Sequence, residues 1–292
     1  MGVMTGLGTV FLPSEPPERL RDTALAADEA GVDELWVWED CFKESGIATA
    51  SAALAWTVRL RVGIGLLPVP LRNVALTAME LATLERLFPG RLSVAVGHGV
   101  QEWMAQVGAR VESPVTLLGE YTRALRSLLA GQTVSTQGRY VRLDAVALDH
   151  PPLTSPRVLV GAIGPKTLAV AGRDGAGTIL VAGTTPAMLA DARAAVQAAR
   201  TDGPVAGDVE VVVHLLAATG ADADARVVAE AQSWPFEAGP DTAVAGDAAA
   251  VATAVRRWAA AGADTVILQP TADSDPAQFA RFAGEQVRPL LS

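Results

Sequence analysis

The sequence predicts an α/β protein folded as a single (β/α)8 TIM barrel with insertions, and three observations carry that expectation. Short apolar runs alternate with longer segments whose apolar residues recur at helical spacing. The runs are almost continuously apolar, as strands become when helices cover the sheet. Helical segments end in glycine just before the next run, as in Ala30-Gly31-Val32-Asp33 and Ala261-Gly262-Ala263-Asp264, where a left-handed residue stops the helix. Eight strand–helix units in ~250 residues suit a closed barrel better than an open doubly wound sheet, which is the alternative.

Taken in order, the first strand is expected over Met4–Leu12, followed by a helix over Leu20–Ala30. The second unit is Asp33–Trp38 with Ile47–Thr57, and the third is Arg61–Leu67 with Val74–Leu87. The fourth strand, Leu92–Val96, runs into the tight sequence Gly97-His98-Gly99. Here the rhythm breaks. A helical pattern near Glu102–Val107 is followed by another over Leu117–Leu129, then by alternating character over Thr133–Leu148 about a Gly138 turn. This reads as an inserted hairpin, within an insertion spanning about 113–151 between the fourth and fifth barrel strands. Arg157–Gly161 with Pro165–Ala171, Thr178–Ala182 with Pro186–Arg200, and Val209–Leu216 continue the barrel. A proline- and glycine-bearing loop at about 234–246 precedes the helix Ala248–Ala261 and the last strand Thr265–Leu268. Residues 1–292 read as one domain.

Half of the 292 residues are hydrophobic and mean hydropathy is +0.29, enough for a packed core. No run approaches the roughly 18 uncharged apolar residues of a membrane helix. The N-terminus has no basic segment leading into an apolar one. A lone cysteine, Cys41, excludes an internal disulfide framework and suits a reducing compartment. A cytoplasmic protein without a membrane partner is expected. The net charge of −9 argues against nucleic acid, which calls for a basic face; a small molecule is the expected partner.

In a parallel barrel, ligands sit at the carboxyl ends of the strands. Four features fall there. Glu39-Asp40-Cys41 closes the second strand, and carboxylates at such an exit orient ligands or handle protons, or else cap a helix. His98 lies between two glycines at the fourth exit, where an imidazole can give up a proton or hydrogen bond to a bound ring, or else serve as a satisfied structural residue. Glu102 and Trp103 open the following helix and face the same mouth. Gly161-Ala162-Ile163-Gly164-Pro165-Lys166 joins a strand to a helix, where free amides bind phosphate or simply turn the chain. Gly63-Ile64-Gly65 lacks the third glycine of a dinucleotide fingerprint. His98, His150 and His214 are too scattered for a metal site, and no metal is expected.

Together these segments resemble the bacterial luciferase-like superfamily, in particular its F420-dependent oxidoreductase branch. The landmarks are Trp36-Val37-Trp38-Glu39-Asp40, Gly63-Ile64-Gly65-Leu66-Leu67-Pro68 with Arg72-Asn73, and Leu84 to Leu92. Val96-Gly97-His98-Gly99, Leu159 to Pro165, Leu268-Gln269-Pro270 and the closing Phe279–Leu291 complete them. The resemblance covers nearly the whole chain and rests on the order and spacing of its motifs.

The resemblance implies a barrel that binds F420, or FMN as the alternative, whose ring carries a hydride between substrates. It implies a third-strand bulge near Gly65 and Leu66, often with a non-prolyl cis peptide behind the ring. Cofactor contacts would come from Glu39, Asp40, Gly65, Leu66, Gly97 and His98, with phosphate at Gly161–Lys166. It also implies a homodimer. Two positions depart from the deazaflavin-dependent sugar-phosphate dehydrogenases of this superfamily: Glu39-Asp40 replaces Asp-His, and Val100 replaces a catalytic glutamate. Both argue against that reaction and leave His98, Glu102 or Asp40 to supply a proton. An FMN-dependent monooxygenase and a catalytically silent flavin-binding relative are the other readings.

Overall fold

A computed structural model describes residues 5–201 and 207–291. Met4, where the sequence reading begins the first strand, lies outside them. In chain order the elements are β1 (Gly6–Phe11), α1 (Leu20–Ala30), β2 (Glu34–Val37), α2 (Gly46–Trp56), β3 (Arg61–Pro68), α3 (Val74–Leu87) and β4 (Leu92–Gly97). Next come α4 (Gln101–Gln106), α5 (Pro114–Leu129), β5 (Val134–Gln137), β6 (Arg142–Val146), β7 (Val158–Gly161), α6 (Pro165–Asp174), β8 (Gly177–Leu180) and α7 (Pro186–Thr201). The chain closes with β9 (Glu210–Ala218), α8 (Ala223–Ala231), β10 (Ala243–Ala245), α9 (Ala248–Ala260), β11 (Thr265–Pro270) and α10 (Pro276–Arg281).

Eight strands pair in parallel in the order β1-β2-β3-β4-β7-β8-β9-β11, and the β11–β1 contact completes the circle. The fold is the expected (β/α)8 barrel, and its parallel pairing brings every strand's carboxyl end to one mouth. Inside the barrel, Val10, Trp36, Ala95, Leu159, Val212 and Ile267 form an apolar layer. Gly63 belongs to it because Trp36 fills the space: a Cβ there would lie 2.2 Å from the indole. Outside the barrel, Leu7, Leu35, Val62 and Leu268 pack against helix residues such as Leu54 and Leu81. Burying each such side chain contributes ~1.5–3 kcal/mol. Asn73, Asp247 and Asp275 cap α3, α9 and α10, each side chain accepting an amide at 2.8–2.9 Å.

Two features go beyond the sequence reading, and a third, the inserted hairpin, matches it. β9 runs past the end of β8, and its exposed edge takes up the short parallel strand β10. The helix α8 joins the two. The C-terminal helix changes hydrogen-bond pattern midway, with α10 followed by a π-helical turn over Phe282–Val287 and a 3-10 turn over Arg288–Leu291. The Gly138 hairpin is β5–β6, held to α5 by Glu120, which accepts the amides of Arg139, Tyr140 and Val141 at 2.9–3.0 Å. Among the described residues, no helix is long and apolar enough to cross a membrane.

At the opposite mouth, Glu210 opens β9 and pairs with Arg157 at 2.7 Å, while its second oxygen has no partner. Burial pushes this carboxyl up from 4.5 to about 7 despite Arg157. The folded chain therefore holds a proton that the unfolded chain releases at lower pH. Stability is accordingly lost as pH rises through that window. Glu210→Gln removes the penalty, so thermal unfolding should show the variant gaining on the parent between about pH 4.5 and 7. A constant difference across that range would contradict this assignment.

Candidate active site at the carboxyl-end mouth

The strand ends surround a cavity of about 430 Å³. At the exit of β2, Glu39 turns its carboxylate toward Arg72, which donates to it from Nη2 at 2.6 Å and from Nε at 3.2 Å. Arg72 also reaches Glu80 at 3.2 Å, and the Gly46 amide donates to Glu39 at 2.8 Å. Glu39 thus ties the strand exit to α3 and caps α2, the bland alternative open to a carboxylate there. Its neighbour Asp40 stands on the cavity wall, where burial pushes its carboxyl up although Lys43 opposes the shift. A carboxyl raised in this way is suited to carrying a proton. Burial, then Glu39 and Asp40, push the Cys41 thiol up as well, away from the reactive thiolate.

The Gly97-His98-Gly99 turn is shaped by Gly99, whose φ of +67° is open to glycine and costly to other residues. Gln101 Nε2 donates to the carbonyls of His98 and Gly99 and fixes the turn. His98 Nδ1 lies 3.1 Å from the Gly99 carbonyl, which can only accept. That contact assigns a proton to Nδ1 and leaves Nε2 as the ring's free position. His98, Val100 and Trp103 all wall the cavity. Glu102 is exposed on α4 and is not part of that wall.

The register of β3 against β4 shifts between Ile64 and Leu67, and the Gly65–Leu66 peptide is cis. The bulge swings the Leu66 side chain over β4 and β7. A Cβ at Gly97 would come 2.6 Å from Leu66, and one at Gly161 2.4 Å. The two glycines thus exist to let Leu66 lie flat. A second non-prolyl cis peptide, Cys41–Phe42, was not anticipated. Beyond Gly161, Ala162, Ile163 and Gly164 continue the wall, joined by Thr167. Pro165 and Lys166 are exposed on the first turn of α6, outside it.

Sequence reasoning passed over the far side of the cavity, which is built by His214 of β9, Gln269 of β11, and Trp234. Trp38 packs edge-on against both His214 and Trp234, at 5.5 and 6.0 Å between ring centres. Trp38 Nε1, His214 Nδ1 and Gln269 Nε2 are buried without a hydrogen-bond partner. The signal was present in the sequence: a histidine and a glutamine stand at inward positions of Glu210–Ala218 and Thr265–Pro270, two residues beyond apolar Val212 and Ile267.

A closed parallel barrel with an apolar mouth, a bulged third strand lying over glycines, and a helix N-terminus beside the same cavity defines a ligand-binding barrel. The chain belongs to the luciferase-like monooxygenase family, whose model matches residues 2–280. It is 31% identical over 217 residues to an F420-dependent glucose-6-phosphate dehydrogenase of Kineococcus radiotolerans, a match covering 67% of this chain and 63% of the relative. It is 27% identical over 173 residues to a 5,10-methylenetetrahydromethanopterin reductase of Methanolobus tindarius, covering 59% of this chain and 53% of that protein. The chain thus spans less than two thirds of the length of these relatives. The solved structure of an F420-dependent secondary alcohol dehydrogenase with an F420-acetone adduct superposes with a TM-score of 0.87 at 21% identity, over 99% of both chains. That likeness is one of fold.

Proposed function

We propose that this chain is an F420-dependent oxidoreductase that moves a hydride between the deazaflavin and a small organic molecule. The mouth cavity carries the reading, with the Leu66 bulge on one wall and proton-bearing side chains beside it. The residues present fit a flat ring with a phosphate tail. Gly97 and Gly161 keep the wall under Leu66 free of side chains that would lift it. The Gly161–Lys166 turn would hold the phosphate through amides of the turn and of Lys166 at the N-terminus of α6, since Pro165 has no N–H and the Thr167 and Leu168 amides already donate to the Gly164 carbonyl. The F420 dependence of the glucose-6-phosphate dehydrogenase relative supports the same choice.

When bound, the deazaflavin supplies a ring carbon that gives or takes a hydride. This chain's residues do the rest. His98, in its imidazolium form, donates from Nε2 to a substrate oxygen, and Asp40 is the other group able to hold a proton at the wall. Trp38, Trp103 and Trp234 exclude water. Arg72 holds Glu39, and through it the β2 exit, in place. FMN-dependent monooxygenation on the same scaffold is the second reading, favoured by the family description itself.

The proposal extends to a homodimer in a reducing, cytoplasmic compartment. Leu76, Met79 and Leu87 are exposed along one face of α3, and Trp56 is part-exposed at the end of α2. We read residues 1–292 as one domain whose 234–246 loop shapes substrate choice, since Trp234 stands on the cavity wall. The test is anaerobic mixing of enzyme and reduced F420 with a panel of carbonyl compounds, following the return of the oxidised deazaflavin's absorbance. Turnover without oxygen is expected. Turnover only with reduced FMN and oxygen would replace this reading with the second.

A further inference from the structure

A buried donor left without a partner costs ~1–3 kcal/mol, and native proteins keep few of them. Here three unpaired polar atoms gather at one cavity: Trp38 Nε1, His214 Nδ1 and Gln269 Nε2. Gln269 and His214 are only 1% and 4% exposed, so bulk water does not serve them. They follow Ile267 and Val212 by two residues and therefore point into the barrel, and the strand register sets His214 beside Ile267 with Gln269 one step nearer the mouth. Trp38 stands likewise two residues after Trp36. The barrel interior is closed by hydrocarbon, and toward the mouth it ends in unsatisfied nitrogens.

Position around the barrel separates His214 and Gln269 from the bulge, while Trp38, from β2 beside β3, packs across against His214. In the ring order β1-β2-β3-β4-β7-β8-β9-β11, β9 lies four strands from β3, diametrically opposite Leu66, and β11 lies opposite β4. A ring lying against Leu66 turns its other face toward His214 and Gln269. The charge of the wall is equally specific: among the described residues lining it there is no lysine or arginine, while Glu39 and Asp40 both bring carboxyls. A phosphate or carboxylate seated there would find no lysine or arginine on the wall and two carboxyl groups beside it.

Resting on the F420 reading, we propose that Trp38, His214 and Gln269 form a hydrogen-bonding seat for an uncharged carbonyl or hydroxyl oxygen of the substrate, and that the enzyme acts on neutral ketones or alcohols rather than on sugar phosphates or acids. The indole and the amide donate, matching the two lone pairs of such an oxygen. Complete burial pushes the His214 imidazole down to about 3, so it stays neutral and adds no cation to the seat.

The experiment uses the full chain with cyclohexanone and glucose 6-phosphate as probes, comparing the parent with Gln269→Leu and His214→Phe. Three quantities are read: thermal stability, F420 affinity, and binding and turnover of each probe by the F420-loaded protein. The parent should bind and reduce cyclohexanone and leave glucose 6-phosphate untouched. Gln269→Leu should lose about 10-fold or more in kcat/KM for the ketone, keep its F420 affinity, and melt at the same or a higher temperature. A merely structural glutamine would instead destabilise on replacement. His214→Phe guards against a packing defect peculiar to position 269 and should show the same split.

Failure of the ketone to bind, turnover of glucose 6-phosphate, or ketone kinetics unchanged in both variants overturns the inference and leaves F420 dependence standing. Tenfold weaker F420 binding in Gln269→Leu also overturns it, by assigning the nitrogens to the cofactor's own carbonyl. No F420 binding by the parent removes the reading and this inference together.

Discussion

His98→Ala should lower turnover by ~10²–10⁴, the worth of a positioned acid–base group, while F420 affinity stays near that of the parent. Gly99 in the left-handed region and the Gln101 side chain hold the Gly-His-Gly loop, so the ring has one outlet, Nε2, once Nδ1 is committed to the Gly99 carbonyl. Alanine removes the ring and leaves the turn's own hydrogen bonds intact. The loss should appear in kcat, because proton delivery is needed when charge develops on the substrate oxygen and not when the ground state binds. Single-turnover rates for His98→Ala, His98→Gln and Asp40→Asn distinguish the donors. If His98→Ala turns over like the parent while Asp40→Asn falls, the proton comes from Asp40.

Arg72→Met should destabilise the protein by about 3–5 kcal/mol, the cost of removing one partner of a largely buried ion pair. Arg72 is the shared cation of two carboxylates: Glu39, whose side chain is 10% exposed, and Glu80 at 24%. Without it they face each other, and Glu39 is no longer oriented to accept the Gly46 amide at the start of α2. Nearby Tyr121 offers no compensation, since burial pushes its hydroxyl up to about 12 and it already donates to Thr77. The drop in melting temperature should be on the order of 10 °C. Arg72→Lys keeps the charge without the fork and should fall between. Equal melting temperatures for parent and Arg72→Met would show that Glu39 holds the β2 exit without help.

The barrel was legible because its signals are local and repeated. Continuous apolar runs marked the covered strands, and glycines at Gly31 and Gly262 marked helix ends with φ of +79° and +113°. What was not legible depends on neighbours distant in sequence. β10 exists only because β9 overruns β8, and no pattern within Ala243–Ala245 shows that edge. Among the site residues, the exits of β2 and β4 and the Gly161–Gly164 turn do come together around one cavity. Glu102 escaped proper placement because its helical phase on α4, and not its distance along the chain from His98, turns it to solvent. Glu39 reads in sequence as a ligand-orienting carboxylate or a helix cap, and nothing near it shows that Arg72 arrives from the far side of β3. His214 and Gln269 were hidden in the opposite way: each looks like a stray polar residue in a buried strand until closure of the barrel brings both to the wall of one cavity.

The central claim, that the mouth binds a deazaflavin for hydride transfer, is tested most directly by titrating the purified protein with F420 and with FMN, read by calorimetry. Both ligands carry a phosphate for the α6 amides, so only the preference between them is informative. Tight binding of F420 and much weaker binding of FMN are expected. Tight FMN binding with F420 excluded would contradict the claim and assign the cavity to oxygen-activating flavin chemistry.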